Sequence, residues 1–192
     1  TFGSLSAGGG NMVFIKKLTA SADANLTFVD GASSVVLDST YKEYLFTFNN
    51  IHPATDDSKL LVNFRDGGTD YDATKTTTFF RAQHSEGGAN GNLSYRTDDD
   101  LAQSTAAQPL TMDIGNANDE SASGEMILYN PSSTTFVKHF IANANCVYSG
   151  DYSMQSFVAG YCNVTAAIDA VQFTMEGGTN IDSGDICLYG IL

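Results

Sequence analysis

Apolar and polar residues alternate with a period of two along most of this chain. Tyr44, Phe46 and Phe48, for example, alternate with Leu45 and Thr47. Because successive side chains of a strand point to opposite faces, this pattern predicts β-strands with one buried face each. No segment repeats apolar residues at the three- and four-residue spacing of a capped helix, and residues 99–107 are predicted as a loop with at most one helical turn.

The predicted strands are rich in β-branched and aromatic residues, and Gly, Asn, Asp and Pro clusters separate them. The final two are predicted to pair as a hairpin around the Gly/Asn-rich loop at 177–180, closing the domain at the end of the chain. The predicted strands span residues 11–17, 25–29, 34–37, 44–50, 60–65, 76–82, 93–96, 110–114, 125–129, 135–142, 145–149, 156–161, 170–175 and 185–191.

The number and spacing of these strands predict an all-β fold. The predicted strands are more numerous than those of an immunoglobulin domain, and they favour a jelly-roll-like antiparallel β-sandwich of two packed sheets. Residues 11–192 show no internal linker and are predicted as a single β-sandwich domain. Residues 1–10 form a flexible Gly/Ser-rich N-terminal arm, which is either a disordered terminus or a segment that docks on a neighbouring subunit.

The chain is acidic, with a net charge of −13. Nucleic acids and anionic membranes bind through basic patches, so neither is an expected partner. No apolar run has the length of a membrane span, and residues 1–4 lack the features of a signal peptide. The sequence therefore predicts a soluble protein made without Sec export, unless a leader has been removed. The acidic surface is interpreted as a device for solubility rather than for a cationic partner.

Cysteine usage excludes a recognisable zinc motif. Cys146, Cys162 and Cys187 are far apart and odd in number, and no C-x-x-C or Cys/His cluster occurs. The favoured interpretation is buried thiols in a reducing compartment. One disulfide with a third, free thiol is the alternative.

Carboxylates cluster in two loops. Asp66, Asp70 and Asp72 lie on a Gly-containing loop and are the candidate calcium ligands, although the loop departs from the EF-hand pattern and a solvated turn is the favoured interpretation. The run 98–100 is predicted to be exposed, because its adjacent carboxylates repel one another. No cofactor is expected.

No residue combination predicts catalysis. His52, His84 and His139 are interpreted as surface or hydrogen-bonded strand residues. A Ser/His/Asp triad is not visible in sequence order, and no G-x-S-x-G motif is present. The loop tyrosines are candidates for stacking on sugars, with core packing or subunit contact as the favoured use; they are Tyr71, Tyr95, Tyr148 and Tyr152.

Several short sequence segments, taken in order from about Ala20 to the end, resemble those of a family of small virion structural proteins of tailed bacteriophages from marine and other environmental bacteria. They are Val35-Val36-Leu37-Asp38, Tyr44-Leu45-Phe46, Asn50-Ile51-His52-Pro53-Ala54, Gly67-Gly68-Thr69-Asp70-Tyr71, Ser121-Ala122-Ser123-Gly124, Tyr129-Asn130-Pro131, and Ala170-Val171-Gln172-Phe173 through Leu188-Tyr189-Gly190-Ile191.

This resemblance implies a non-enzymatic β-sandwich, made in the host cytoplasm and displayed on the virion. The module would serve as capsid decoration, cement or head fibre, or alternatively as a carbohydrate-binding receptor module of a tail fibre. Its expected partners are two further copies of itself in a homotrimer, other capsid or tail proteins, and a host surface glycan. The resemblance supplies no catalytic residues, and it does not cover the arm 1–10.

Overall fold

In the computed structural model, which describes residues 11–192, twelve β-strands form two antiparallel sheets. The all-β prediction is therefore confirmed, while the jelly-roll connectivity stays a prediction. The predicted arm, residues 1–10, lies outside the described residues. The strands are β1 (Met12–Asp23), β2 (Leu26–Val29), β3 (Glu43–Pro53), β4 (Leu60–Arg65), β5 (Lys75–Ser85), β6 (Gly91–Tyr95), β7 (Gln108–Pro109), β8 (Ala122–Tyr129), β9 (Lys138–Tyr148), β10 (Tyr152–Cys162), β11 (Ala170–Met175) and β12 (Ile181–Ile191).

The larger sheet has eight strands in the order β1-β12-β3-β8-β9-β10-β5-β6, and the smaller has four in the order β2-β11-β4-β7. Alternate residues of both sheets are buried together in one hydrophobic core. Phe28, on the smaller sheet, packs edge-to-face on Phe46 of the larger sheet with ring centroids 5.4 Å apart. The two sheets therefore pack face to face, which leaves the opposite face of the larger sheet available to solvent.

The chain's final two strands do not form the predicted hairpin. Strand β11 pairs with β2 and β4 in the smaller sheet, whereas β12 pairs with β1 and β3 in the larger. A short 3₁₀ turn at Glu176–Gly178, with φ of 71° and 72° at Gly177 and Gly178, carries the chain from one sheet to the other. The hairpin prediction was wrong because alternation identifies strands but not their partners.

Other boundaries also differ from the prediction. Residues 34–37 and 110–114 do not form strands, although Val35, Leu37 and Leu110 are buried in the core. Their burial explains the apolar pattern without a ladder of backbone hydrogen bonds. Residues 99–107 contain no helical turn.

Strand β9 joins two predicted strands into one. The expected break at residues 143–144 does not occur, because Asn143 and Asn145 lie on the solvent face while Ala142, Ala144 and Cys146 point into the core. Polar residues at every second position are compatible with a continuous strand that has one solvent-exposed face.

Among residues 11–192, no helix is long and apolar enough to cross a membrane.

Candidate functional site

The solvent face of the larger sheet carries a row of apolar side chains that crosses six adjacent strands. Cross-strand register places these residues opposite one another in succession. Six neighbouring strands span roughly 24 Å, since strands are separated by about 4.8 Å. We call this row the apolar belt; it consists of Phe14, Tyr189, Leu45, Ile127, Ile141 and Ala159.

The apolar belt contains no charged side chain, which is notable in a protein of net charge −13. Phe14 is 58% exposed and Ile141 is 51% exposed, while Leu45, Ile127 and Tyr189 are half-buried. Single exposed apolar residues are ordinary, but a contiguous exposed row marks a surface that contacts another molecule.

An aromatic patch adjoins the apolar belt at the β5–β6 side of the sheet. Phe157, Phe80 and Tyr95 are register neighbours on β10, β5 and β6. The first two rings stack with centroids 4.8 Å apart and an interplanar angle of 12°. Tyr95 is 52% exposed, and its hydroxyl donates to Asp100 Oδ2 at 2.5 Å. Together the belt and the patch place apolar side chains on all eight strands of the larger sheet.

Three inward-facing residues form a second unusual feature, at one end of the sandwich. Lys75, Cys162 and Lys138 are register neighbours on β5, β10 and β9, and all three are fully buried. Lysine is almost never fully buried unless its ammonium has partners. Here Lys75 Nζ donates to Asn63 Oδ1 at 2.5 Å and to Ala73 O at 2.7 Å.

The buried ammonium of Lys138 has backbone carbonyl oxygens as its hydrogen-bond acceptors. Its Nζ donates to the carbonyl oxygens of Ser133 at 3.2 Å and Val164 at 2.8 Å, and also to that of Ala166. Burial lowers the pKa of both lysines, and the pKa of Lys75 falls to about 8. Burial raises the pKa of the intervening Cys162 thiol to about 12, so this thiol is protonated rather than nucleophilic at neutral pH.

All three cysteines are buried and unbonded. Cys146 and Cys162 point into the core, and burial raises the pKa of Cys146 to about 12 as well. The structure therefore contains no disulfide among them, in line with the favoured interpretation from the sequence.

The predicted calcium ligands are not brought together. Across residues 11–192, no three His, Cys, Asp or Glu side chains converge as metal ligands would. Asp70 and Asp72 are exposed on their loop, and Asp66 is half-buried. Gly67 and Gly68 both adopt positive φ, 104° and 74°, which explains the Gly-Gly turn in this loop.

The run at 98–100 was predicted to be exposed, and this is wrong for Asp99, whose side chain is only 1% exposed. Its carboxylate accepts from Lys59 Nζ at 2.9 Å and from Arg96 Nε at 3.0 Å. Two cations thus compensate the buried charge that repulsion was expected to keep in solvent. Sequence gives no signal that separates Asp99 from Asp98, which is exposed.

The histidines lie apart. His52 Nε2 contacts Ala117 O at 3.2 Å, and its Nδ1 lies 3.6 Å from Asp182 Oδ2. His84 and His139 are exposed on β5 and β9, and the His139 ring lies 5.9 Å from that of Tyr161. Of the remaining candidate tyrosines, Tyr148 and Tyr152 pack together with ring centroids 6.2 Å apart. Tyr71 lies under the guanidinium of Arg65, 5.9 Å from the ring centroid.

Comparisons with known proteins add little. No family model matches the chain, and no curated protein matches it. A solved structure of a structural-genomics protein of unknown function from Bacteroides ovatus is similar with a TM-score of 0.31 and 6% identity. The match covers 55% of this chain and 45% of that one, so this chain spans less than half of its neighbour's length.

Proposed function

We propose that this protein is a non-enzymatic structural protein of a bacteriophage virion, displayed on the particle as capsid decoration, cement or head fibre. The observation that supports this function best is the apolar belt, a row without charged side chains that crosses six of the eight strands of the larger sheet. The resemblance in the ordered segments from Ala20 onward supports the virion location. The occupant that we propose for the belt is a second copy of this chain.

Charge favours self-association through this surface. Each chain has a net charge of −13, so contact through charged faces would place like charges together. The apolar belt itself carries no acidic side chain, and Glu43 and Glu125 lie on the same face two positions away along β3 and β8. A contact of the belt with itself gives a two-fold dimer, whereas a contact of the belt with the neighbour's aromatic patch is heterologous and forms a ring when its rotation closes. We propose the ring, as a homotrimer.

Disrupting the apolar belt is expected to dissociate the trimer. Ile141→Glu places a charge within the row, where its desolvation in a contact would be costly. Sedimentation of the purified wild-type chain should give the mass of three chains, and that of the variant the mass of one. The matched control is Phe136→Glu, since Phe136 is 69% exposed but lies in the loop before β9, outside the belt.

The same experiment has outcomes that would overturn the assembly. A wild-type monomer at micromolar concentration, a stable dimer, or dissociation by both variants would contradict the homotrimer built on the belt. The virion location has a separate test. Antibody labelling of intact particles by electron microscopy should place the protein on the capsid, and its absence from purified particles would contradict the proposal.

A receptor-binding module of a tail fibre is the second candidate, supported by the aromatic patch. An exposed aromatic ring beside a carboxylate is suited to sugars, since the ring stacks on the sugar face and the carboxylate accepts from hydroxyl groups. Tyr95 and Asp100 provide this pair at the edge strand β6. A glycan array with and without Ca²⁺ should then detect binding that Tyr95→Ala abolishes, while Tyr71→Ala leaves it intact. A wild-type protein that binds no glycan under either condition would eliminate this candidate.

A further inference from the structure

We propose that Lys75 and Asn63 form an intramolecular isopeptide bond, in which the lysine amine replaces the ammonia of the asparagine side-chain amide. Lys75 lies at the start of β5 in the larger sheet, and Asn63 lies on β4 in the smaller sheet. The bond would therefore cross-link the two sheets of the sandwich. This inference does not rest on the proposed function.

The positions of the reacting groups support the bond. Lys75 Nζ donates to Asn63 Oδ1 at 2.5 Å, so the amine is held one bond away from Cγ, the carbonyl carbon that it would attack. Reacting atoms held about 3–3.5 Å apart gain most of the advantage of an intramolecular reaction. Lys75 is fully buried, which confines its short-range partners to Asn63 and Ala73 O.

The asparagine amide is held rigidly and its carbonyl is polarised. Asn63 Oδ1 accepts from the backbone N–H of Phe64 at 3.0 Å as well as from Lys75. A hydrogen bond from a backbone N–H is the kind of contact that stabilises the oxyanion of a tetrahedral intermediate. Asn63 Nδ2 donates to Thr105 O at 3.0 Å, which fixes the orientation of the leaving nitrogen.

The protonation equilibrium of Lys75 also favours nucleophilic attack on Asn63 Cγ. Only the neutral amine is nucleophilic, and burial lowers the pKa of Lys75 to about 8 against the opposing influence of Cys162, Asp72 and Asp66. A neutral fraction of roughly a tenth is therefore present at pH 7. Desolvated lysines of this type are the ones that serve as nucleophiles in proteins.

The reaction balances without an oxidant or a cofactor. The neutral Lys75 amine attacks Asn63 Cγ and forms the Nζ–Cγ bond, with negative charge developing on Oδ1. The Cγ–Nδ2 bond then breaks, and the proton lost from Nζ goes to the departing nitrogen, which leaves as ammonia. One primary amide and one amine thus become one secondary amide and ammonia.

The test is the intact mass of the full-length purified chain under denaturing conditions. We expect a mass lower than the sequence value by one ammonia. Proteolysis should release a branched peptide that joins the segments containing Asn63 and Lys75. Amine labelling after denaturation should modify Lys138 and leave Lys75 unmodified; Lys138 is the internal control, because it is equally buried but donates only to backbone carbonyls.

Two variants distinguish formation of the isopeptide bond from other reactions that release ammonia. Lys75→Arg should restore the full calculated mass, and a loss that persists in this variant would overturn the proposal by placing the loss elsewhere, such as in a cyclic imide. Asn63→Asp keeps the shape of the side chain and should lose water instead of ammonia. If either variant fails to fold, the wild-type peptide map decides, and a full sequence mass or a labelled Lys75 overturns the proposal.

Discussion

Replacement of Phe173 by alanine is expected to lower the free energy of unfolding by about 4 kcal/mol, since replacing a buried phenylalanine by alanine costs about 3–5 kcal/mol. Phe173 is fully buried at the contact between the two sheets. Its ring centroid lies 6.2 Å from that of Phe28, 5.5 Å from that of Phe46 and 5.4 Å from that of Phe48. Truncation therefore removes three aromatic contacts and leaves a cavity that neighbouring β-strands cannot easily close.

Urea unfolding followed by circular dichroism measures this change, through the midpoint at an unchanged slope. The matched control is Phe136→Ala, because Phe136 is 69% exposed. Exposed substitutions of this kind usually change stability by less than about 0.5 kcal/mol. Equal effects of the two substitutions would contradict the placement of Phe173 at the centre of the core.

The substitution Asp99→Asn is expected to lower the free energy of unfolding by about 2–3 kcal/mol, somewhat below the range for breaking a fully buried ion pair. The change keeps the shape of the side chain but removes its charge. Lys59 and Arg96 then lose the carboxylate that compensates them, and their own side chains are only 15% and 28% exposed. Desolvation alone would lower the pKa of Lys59, but the hydrogen bond to Asp99 and the nearby carboxylates reverse this and raise it.

Asp113 and Glu176 limit the loss, because each places a carboxylate oxygen 3.7 Å from Lys59 Nζ. The control is Asp98→Asn, one residue earlier in the same acidic run, where the side chain is exposed. That substitution should leave the urea midpoint almost unchanged. A larger effect at Asp98 than at Asp99 would show that net charge, and not the buried ion pair, governs the stability of this loop.

Both proposals concern a protein held together without disulfides. An isopeptide bond between β4 and β5 would link the sheets covalently in a reducing environment, where cysteines do not. Such a cross-link is compatible with the virion role that we propose. Assembly and cross-linking are nevertheless tested independently, since the mass of a denatured chain reports the bond regardless of oligomeric state.

The all-β fold was predictable because strand alternation is a local property. In β3 the inward Tyr44, Phe46 and Phe48 follow the period of two, and the fully buried Phe173 in β11 follows the same rule. Any antiparallel arrangement that buries one face of each strand needs this pattern. The sequence therefore indicated most of the strands and most of the apolar side chains that enter the core, although Val35, Leu37 and Leu110 are buried outside any strand.

Pairing was not predictable, because it depends on contacts between residues far apart in the chain. Strand β12 pairs with β1 at the opposite end of the described chain and not with its predecessor β11. The apolar belt is a product of that pairing. Phe14 and Ile127 each lie within a short apolar run, and nothing in sequence marks them as outward-facing members of one row until register aligns six strands.

By itself, then, the sequence determined the all-β content, most of the turn positions and most of the apolar core residues. Only the tertiary structure decided which charged groups are buried, since Asp99 differs from Asp98 in its partners and not in its type. The same holds for Lys75, which the alternation of β5 turns inward and the packing of β4 places against Asn63. Local patterns set the direction of a side chain, whereas the groups it meets are set by elements that are distant in sequence.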